Sequence, residues 1–394
     1  MSNAHEQAAL PDSGANDSGA NDVKVQREKE AYFTASQSQL IWARFKKQRA
    51  ALVAAWVLVV LILSGLFAPF LSPYDPTVAG RDKDYTNGAP QLPQFCDKNG
   101  CSLRPFIHAV ERERSLATNF RWVTTVNEDK RSYLTFLPKG DDYKLFGVIP
   151  GERHLFGVEE GKIHVFGTDE DGQDIFSRTL HAVWTSLQVG TIGVFIAFVL
   201  ALIIGGVSGY YGGWIDSVIQ MFTDAVRTVP AIPLFMAIAA FLPAETTAEA
   251  RFFYISLILG FIGWPTLARR IRTHLLTERN QEYILAAQLS GASSPHIIRR
   301  HLLPSFTSYI IVDLVISFPY MVLSETALSF IGLGLKDPVS SLGVMLQKAT
   351  SADVMLNYQW YFIPVFFFIV LVMAFVFVGD GLRDAADPYS EANK

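Results

Sequence analysis

The sequence is short of groups that carry chemistry. Among 394 residues there are only two cysteines, Cys96 and Cys101, and eight histidines. No zinc-type His/Cys cluster and no activated-nucleophile pattern stands out, so no metal site is assigned and an enzyme working in the membrane is the least expected class. No phosphate-binding loop occurs either. Gly161-Lys162 is followed by Ile163, not Ser or Thr, and lacks the upstream glycine spacing. The chain is therefore expected to bind no cofactor, and ATP, if it drives this protein, must sit on another polypeptide. The formal net charge is only −4, so nothing points to nucleic acid as a partner. No cleavable signal peptide is visible: the start is polar, and the first apolar run is long enough to span a bilayer.

What the sequence has is apolar blocks separated by polar stretches. Half of it is hydrophobic, with a mean hydropathy of +0.24, a membrane-protein signature. Residues 1–35 are rich in Ser, Gly, Asn, Asp and charge, and are expected to be disordered. Residues 36–49 pair Leu40, Ile41, Trp42 and Phe45 with Arg44, Lys46, Lys47 and Arg49, which suits a helix lying in the membrane interface. Spans are expected at 50–71, 188–211, 218–242, 252–268, 305–331 and 360–378. Basic residues beside the first span, and Arg269, Arg270 and Arg272 after the fourth, place those ends in the cytoplasm. Both termini are then cytoplasmic, with a tail over 380–394. Gly205 and Gly209 permit close helix packing in the second span. Pro230 and Pro233 should bend the third, and Pro364 should kink the sixth.

Between the first two spans lies an external insert, 72–180. Short strands are expected at 133–137, 143–149 and within 154–166, where Glu159-Glu160-Gly161 reads as a hairpin turn. Cys96 and Cys101 flank an Asn-Gly turn. A small disulfide loop is the favoured reading, with two free thiols or half a metal site as alternatives. After the insert, 174–187 reads as a surface helix with one broad apolar face, capped by Thr168, Asp169 or Asp171.

Charges inside spans are few. Asp224 and Arg227, at i and i+3, can neutralise each other on one face. Asp313 and Glu325 lie early and late in the fifth span. An ionised group there costs about 2.5–3.5 kcal/mol on insertion scales, so both should face protein or water. Lining a solute path is the functional reading; a polar contact between helices is the plainer one, and is favoured for Glu325.

The stretch 278–304 is polar and basic yet lies between two spans. It contains Glu282, Tyr283, Ala286, Ala287, Gly291, Ile297, Ile298, Arg300, His301 and Pro304. Small alanines allow close approach, and Gly291 and Pro295 interrupt the helix, so helix–turn–helix is expected. Ile297 and Ile298 beside Arg299, Arg300 and His301 need a groove or a membrane surface to cover them. The spacing E-Y-x-x-A-A-x-x-x-G followed by R-H-x-x-P resembles the coupling loop of permease subunits of bacterial ABC importers, in the dipeptide/oligopeptide/nickel branch. Phe166-Gly167-Thr168-Asp169 with EDGQDIFSR, SETALSFIGLGL at 324–335 and GDGLRDAADPY at 379–389 resemble further segments of that family. Gln173 stands where the family has Arg, and Leu342 where it has Trp.

The resemblance implies an all-α polytopic membrane protein: six transmembrane helices in the type I ABC importer permease architecture, with a small mixed or β-containing periplasmic insert. It implies a non-catalytic translocating subunit in the bacterial inner membrane. Its partners would be a second homologous permease, two ABC ATPase subunits carrying ATP and Mg, a periplasmic or lipid-anchored substrate-binding protein, and membrane lipid. Oligopeptides are the implied solutes, with oligosaccharides as the alternative. Readings of another class are an ion-coupled carrier or channel and a ligand-sensing membrane scaffold. The paucity of mid-span charge and the 282–304 loop argue against the carrier.

Overall fold

The computed structural model describes residues 37–77, 85–98, 100–114, 122–241, 243, 246–305 and 307–387. The expected disordered tail at 1–35 lies outside them. Among the described residues, helices dominate and one strand-built region is inserted. Helix α1 (Gln37–Lys47) leads into α2 (Arg49–Leu66) and the single turn α3 (Ala68–Leu71). Strands β1 (Gln94–Asp97), β2 (Gly100–Arg114), β3 (Trp122–Phe136), β4 (Lys139–Leu145), β5 (Ile149–Arg153) and β6 (Phe156–Val158) follow. Then come α4 (Ile175–Tyr211), α5 (Gly213–Thr228), α6 (Ala231–Ala240), α7 (Ala248–Glu278), α8 (Glu282–Leu289) and α9 (Ser294–Ile297). A π-helical turn over Ile298–Leu302 and α10 (Leu303–Ser305) lead into α11 (Thr307–Phe330). The chain closes with α12 (Leu342–Ala349), α13 (Ala352–Asn357) and α14 (Ile363–Ala386).

Five of these helices are long and apolar enough to cross a membrane, or six if α5 and α6 together count as one broken span. The expected third span, 218–242, is not one helix. It turns by 87° between α5 and α6. Val229 is extended (ψ 124°) ahead of Pro230, because the proline ring disfavours helical geometry in the residue before it. Other boundaries also move. The expected surface helix 174–187 and the second span form one continuous α4 of 37 residues. Its first turns are buried against α11 and α12 rather than lying on a surface. The fourth span continues to Glu278, well past Ala268. Pro364 starts α14 and does not kink it: at the first turn it withholds an N–H that has no intrahelical partner. The segment 336–359, between the expected fifth and sixth spans, carries α12 and α13, each N-capped by a serine, Ser341 and Ser351.

The core of the bundle is α4 against α7. Gly205 and Gly209 sit where α7 crosses. A Cβ on Gly209 would lie 2.7 Å from the Leu275 Cβ and 2.9 Å from the Arg272 carbonyl, and one on Gly205 would strike the Ala268 carbonyl. The two backbones therefore touch along two turns, as a small-residue stripe allows. Ala197, Ala201, Leu259, Ala268 and Leu275 fill the seam. A second core joins α2, the start of α4, α12 and α14 through Leu61, Val183, Leu187, Leu342 and Leu371. At the other end of the bundle, Phe45 of α1 is buried against Ala51 and Ala385, so α1 packs onto the chain's own last helix.

The insert differs from the expected strand pattern. β2 and β3 form a long antiparallel pair, flanked by β1 and β6 in the order β1-β2-β3-β6. β4 and β5 form a separate hairpin whose turn is Phe146-Gly147-Val148, not Glu159-Glu160-Gly161. Phe146 and Gly147 both take positive φ, 55° and 73°, as tight hairpin turns require. Of 154–166, only Phe156–Val158 is a strand, paired with β3. Cys96 and Cys101 face each other across β1 and β2 and are joined by a disulfide.

The seam generates a test. Gly205→Val should force α4 and α7 apart and cost about 1–3 kcal/mol, the usual penalty for overpacking. A lower thermal unfolding midpoint in detergent or nanodiscs is the expected readout; an unchanged midpoint would mean that the seam does not constrain the bundle.

Candidate functional site

Two polar regions stand at opposite ends of the bundle. One is on the side that carries the insert, the other on the side that carries 278–305. We call them the insert side and the loop side.

On the loop side, α7 ends at Glu278, and α8 begins four residues later with Glu282 in its first turn, where an acid suits the helix dipole. The Tyr283 hydroxyl donates to Glu278 Oε2 at 2.9 Å, tying α8 back to α7. Partial burial, with the Glu278 carboxylate acting in the same sense, raises the Tyr283 pKa above the ordinary tyrosine value. Gly291 makes the turn with φ 79°, a backbone region that side chains with a Cβ rarely adopt. Pro295 does not break a helix here; it sits in the first turn of α9. The helix then widens: the Leu303 N–H donates to the Ile298 carbonyl, five residues back, making the π-helical turn. Such turns recur at functional sites.

The loop's apolar residues correct the expectation that they wait for a partner. Ile297 is fully buried, with Ile284 and Leu302, in the core that holds α4 and α7. Ala287 and Ile298 pack against the same core. Each fully buried Ile or Leu contributes roughly 1.5–3 kcal/mol, so the elbow is seated on its own bundle. Its outer face is different. Leu289 is 90% exposed, and Tyr283 and Leu285 are exposed too. Ala286, Arg299, Arg300 and Pro304 are exposed, while His301 is half-buried beside His296 at 5.8 Å between rings. His296, Arg299, Arg300 and Pro304 line a cavity of 540 Å³. The outward face is thus a basic hollow next to an apolar ridge.

The same side is pinned by ion pairs. Asp216, in the first turn of α5, receives both Nε and Nη2 of Arg272 at 2.5 Å, and Ser208 Oγ at 2.5 Å. Arg279 Nη1 donates to the Tyr210 carbonyl at 3.2 Å. Together they fasten the α4–α5 turn to the end of α7. Asp224 does not pair with Arg227 as expected. It meets Arg269 of α7, and Arg227 is exposed. Asp313 receives Arg270 Nη1 at 2.9 Å. Arg269, Arg270, His274, Tyr309, Asp313 and Arg383 border a polar cavity of 560 Å³. Asp313 therefore faces both a cation and an opening, whereas Glu325 faces neither. Glu325 is fully buried, accepting from Ser186 at 3.1 Å and Ser329 at 2.8 Å, as a polar contact between α4 and α11.

On the insert side, sequence reasoning missed the densest cluster. Arg178, in the first turn of α4, is 1% exposed. Its Nη1 donates to Asp169 Oδ2 and Gln173 Oε1, each at 2.5 Å, its Nη2 to Asp337 Oδ1 at 2.6 Å, and its Nε to Ser340 Oγ at 3.2 Å. Lys348 of α12 reaches Asp169 at 3.1 Å, Asp171 at 2.8 Å and Asp337 at 3.2 Å. Burial and the neighbouring Arg178 work against the charge on Lys348, but the carboxylates outweigh them and raise its pKa. The helix cap is Asp174, which accepts from the Ser177 N–H at 2.7 Å, not Thr168, Asp169 or Asp171. Asp169 is instead an acceptor shared by two cations. The signal was present: Arg178 and Asp169 are charges placed directly before an apolar run, where a charge must be compensated.

A family model for the binding-protein-dependent transport system inner membrane component matches residues 183–389. The chain belongs to that family. A second model, for the N-terminal transmembrane domain of oligopeptide transport permease C, matches residues 36–93. The oligopeptide transport system permease protein OppC of Mycobacterium tuberculosis is 33% identical over 222 residues, 56% of this chain and 74% of that one. The dipeptide transport system permease protein DppC of Bacillus subtilis is 36% identical over 220 residues, 55% of this chain and 66% of that one. DppC of Lactococcus lactis is 28% identical over 353 residues, covering 88% of this chain and 89% of that one. Among solved structures, a chain of the MetNI methionine ABC transporter in an inward-facing conformation aligns with a TM-score of 0.43 at 19% identity, over 53% of this chain and 96% of that one. Family membership and the long apolar helices make this permease a multi-pass membrane component. Among the described residues no group of three or more His, Cys, Asp or Glu could hold a metal ion.

The insert-side cluster predicts its own variant. Arg178→Met removes the guanidinium and leaves Asp169 buried beside Lys348 alone. Breaking a buried pair costs about 3–5 kcal/mol, so the unfolding midpoint should fall clearly. Arg178→Lys should recover only part of it, because an ammonium cannot reproduce the forked donor set. Equal midpoints for all three proteins would show that the cluster contributes nothing.

Proposed function

We propose that this chain is one permease half of an ATP-driven importer of peptides. Several features support the reading: family membership, relatives named for oligopeptide and dipeptide transport, and the loop-side elbow, which is firmly seated on its inner face and open on its outer one. That elbow carries the argument. In the proposal its outer face docks into an ATPase subunit, with Leu289 as the apolar anchor and Arg299 and Arg300 at the basic hollow. Glu282, Tyr283, Ala286, Ala287, Gly291, Ile297, Ile298, Arg300, His301 and Pro304 form the coupling element, with Ile297 and Ile298 as its inner seat. Two ATPases bearing ATP and Mg would drive it, a second homologous permease would complete the path, and a binding protein would deliver solute on the insert side. The loop side and both termini are then cytoplasmic. Asp313, with Arg270, would border the inner mouth of the path. The chain itself performs no catalysis in this scheme, and no observation favours oligosaccharides over peptides.

In this scheme closure of the ATPases moves the elbow, and the elbow moves α7 and α4, switching the path between its two openings. Gly291 separates a docking defect from a folding defect. No atom lies within 4 Å of where its Cβ would stand, so the first carbon of a side chain has room there and the backbone resists it through the positive φ. Gly291→Arg should therefore leave the complex assembled and hydrolysing ATP while uptake falls by about 5–150-fold, the range of ordinary coupling free energies. Gly291→Asn, which tolerates the left-handed conformation, should retain uptake. Unimpaired uptake by the arginine variant would reject the proposed seat of coupling.

A further inference from the structure

The hairpin β4–β5 ends in an apolar tip that the described residues leave largely exposed. Phe146, Val148 and Ile149 are all exposed, Val148 to 79%. Exposed apolar residues at a hairpin turn are unusual in water, where polar turn residues are the rule.

Where the tip lies explains it. Helix α2 belongs to the segment matching an N-terminal transmembrane domain. Its 18 residues rise about 27 Å, close to the ~30 Å of a hydrocarbon core. Val53, Trp56, Val60 and Leu63 form an exposed stripe along it, at spacings of three and four residues that keep them on one face. Phe67 continues that stripe at the outer end of the span. The Phe146 ring packs edge-on against Phe67, with 5.6 Å between centroids. The far end of the hairpin is held higher up. The Leu155 N–H, two residues past β5, donates to the Phe70 carbonyl at 2.8 Å. β4 packs along α3, and the Asp75 N–H, farther along the chain, donates to Asp141 near the hairpin base at 3.2 Å, so the tip is the part of the hairpin nearest the end of α2.

We infer that the β4–β5 tip inserts into the membrane leaflet on the insert side and anchors the insert to phospholipid. Phe146, Val148 and Ile149 extend the α2 stripe into the acyl-chain boundary, where aromatic and apolar side chains are favoured. Lys144, also exposed, lies two residues before Phe146, where its ammonium reaches the phosphate level while its stem stays apolar. The insert is thereby held at two heights: by the Phe70 carbonyl above the membrane and by lipid at its surface. This placement does not depend on the transported solute, so its failure would leave the importer reading standing.

The experiment places one environment-sensitive fluorophore on Val148→Cys in the assembled importer, in phosphatidylglycerol-containing nanodiscs, with accessible cysteines of the other subunits replaced. Cys96 and Cys101 are already bonded. Leu103→Cys on β2, fully exposed, is the control. The Val148 probe should show blue-shifted emission and several-fold stronger quenching by lipid carrying a shallow nitroxide than the Leu103 probe, with the order reversed for aqueous iodide. Iodide quenching at Val148 equal to that at Leu103 would overturn the inference by placing the tip in water. Protection from both quenchers would overturn it equally, by seating the tip on a protein neighbour such as the second permease.

Discussion

Backbone contact between α4 and α7 is the constraint on which the rest depends. Gly205 and Gly209 bring the two helices together by adding no side chain of their own, so the backbones sit too close to slide or rotate without a clash. α4 is unbroken for 37 residues, about 55 Å. It begins inside the Arg178 cluster and ends at the turn held by Asp216 and Arg272. α7 leads, four residues after its end, into the elbow. The two polar ends of the molecule are therefore the ends of one rigid body, and displacement of the elbow has no nearby soft joint in which to dissipate.

Charge is distributed to suit this. The strong ion pairs lie at the ends of the bundle, where they fasten helix termini to one another, and the middle is nearly free of ionic groups. Glu325 is the exception in place but not in kind, since Ser186 and Ser329 satisfy it. The only sharp break among the described spans is between α5 and α6. It falls next to the seam rather than within it, so the contact between α4 and α7 is not interrupted where the neighbouring span bends. Ile284, Ile297 and Leu302 then extend the same core into the elbow, which makes the elbow a continuation of the bundle instead of a tethered loop.

Much of this was legible in the residues, for identifiable reasons. Apolar runs long enough to span, glycines four apart and a glycine after two alanines are local signals, and they pointed to the long apolar helices, though not to their bounds, to the tight seam and to the turn at Gly291. What escaped was set by distant partners. Arg178 reads as a charge at the head of a helix until Asp337 and Lys348, some 160 residues away, close around it. Asp224 has Arg227 at helical spacing but finds Arg269 because α7 crosses there. Ile297 looks stranded among basic residues until the core beneath it is seen. The long β2–β3 pair lacks the strict alternation that marks a half-buried strand, and the β4–β5 turn is made of Phe, Gly and Val, so turn chemistry pointed to Glu159-Glu160-Gly161 instead.

In the proposed importer the elbow and the α4–α7 pair move as one body when ATP binds. The distance between spin labels at Leu289 on the elbow and Phe195 on α4, both exposed in the single chain, reports this when measured by double electron–electron resonance in the assembled importer. One narrow distance is expected, unchanged between nucleotide-free and ATP-trapped states, while the distance from Leu289 to the second permease shifts. A Leu289–Phe195 distance that broadens, splits or moves with nucleotide would contradict it, by showing that the elbow swings on its own hinge.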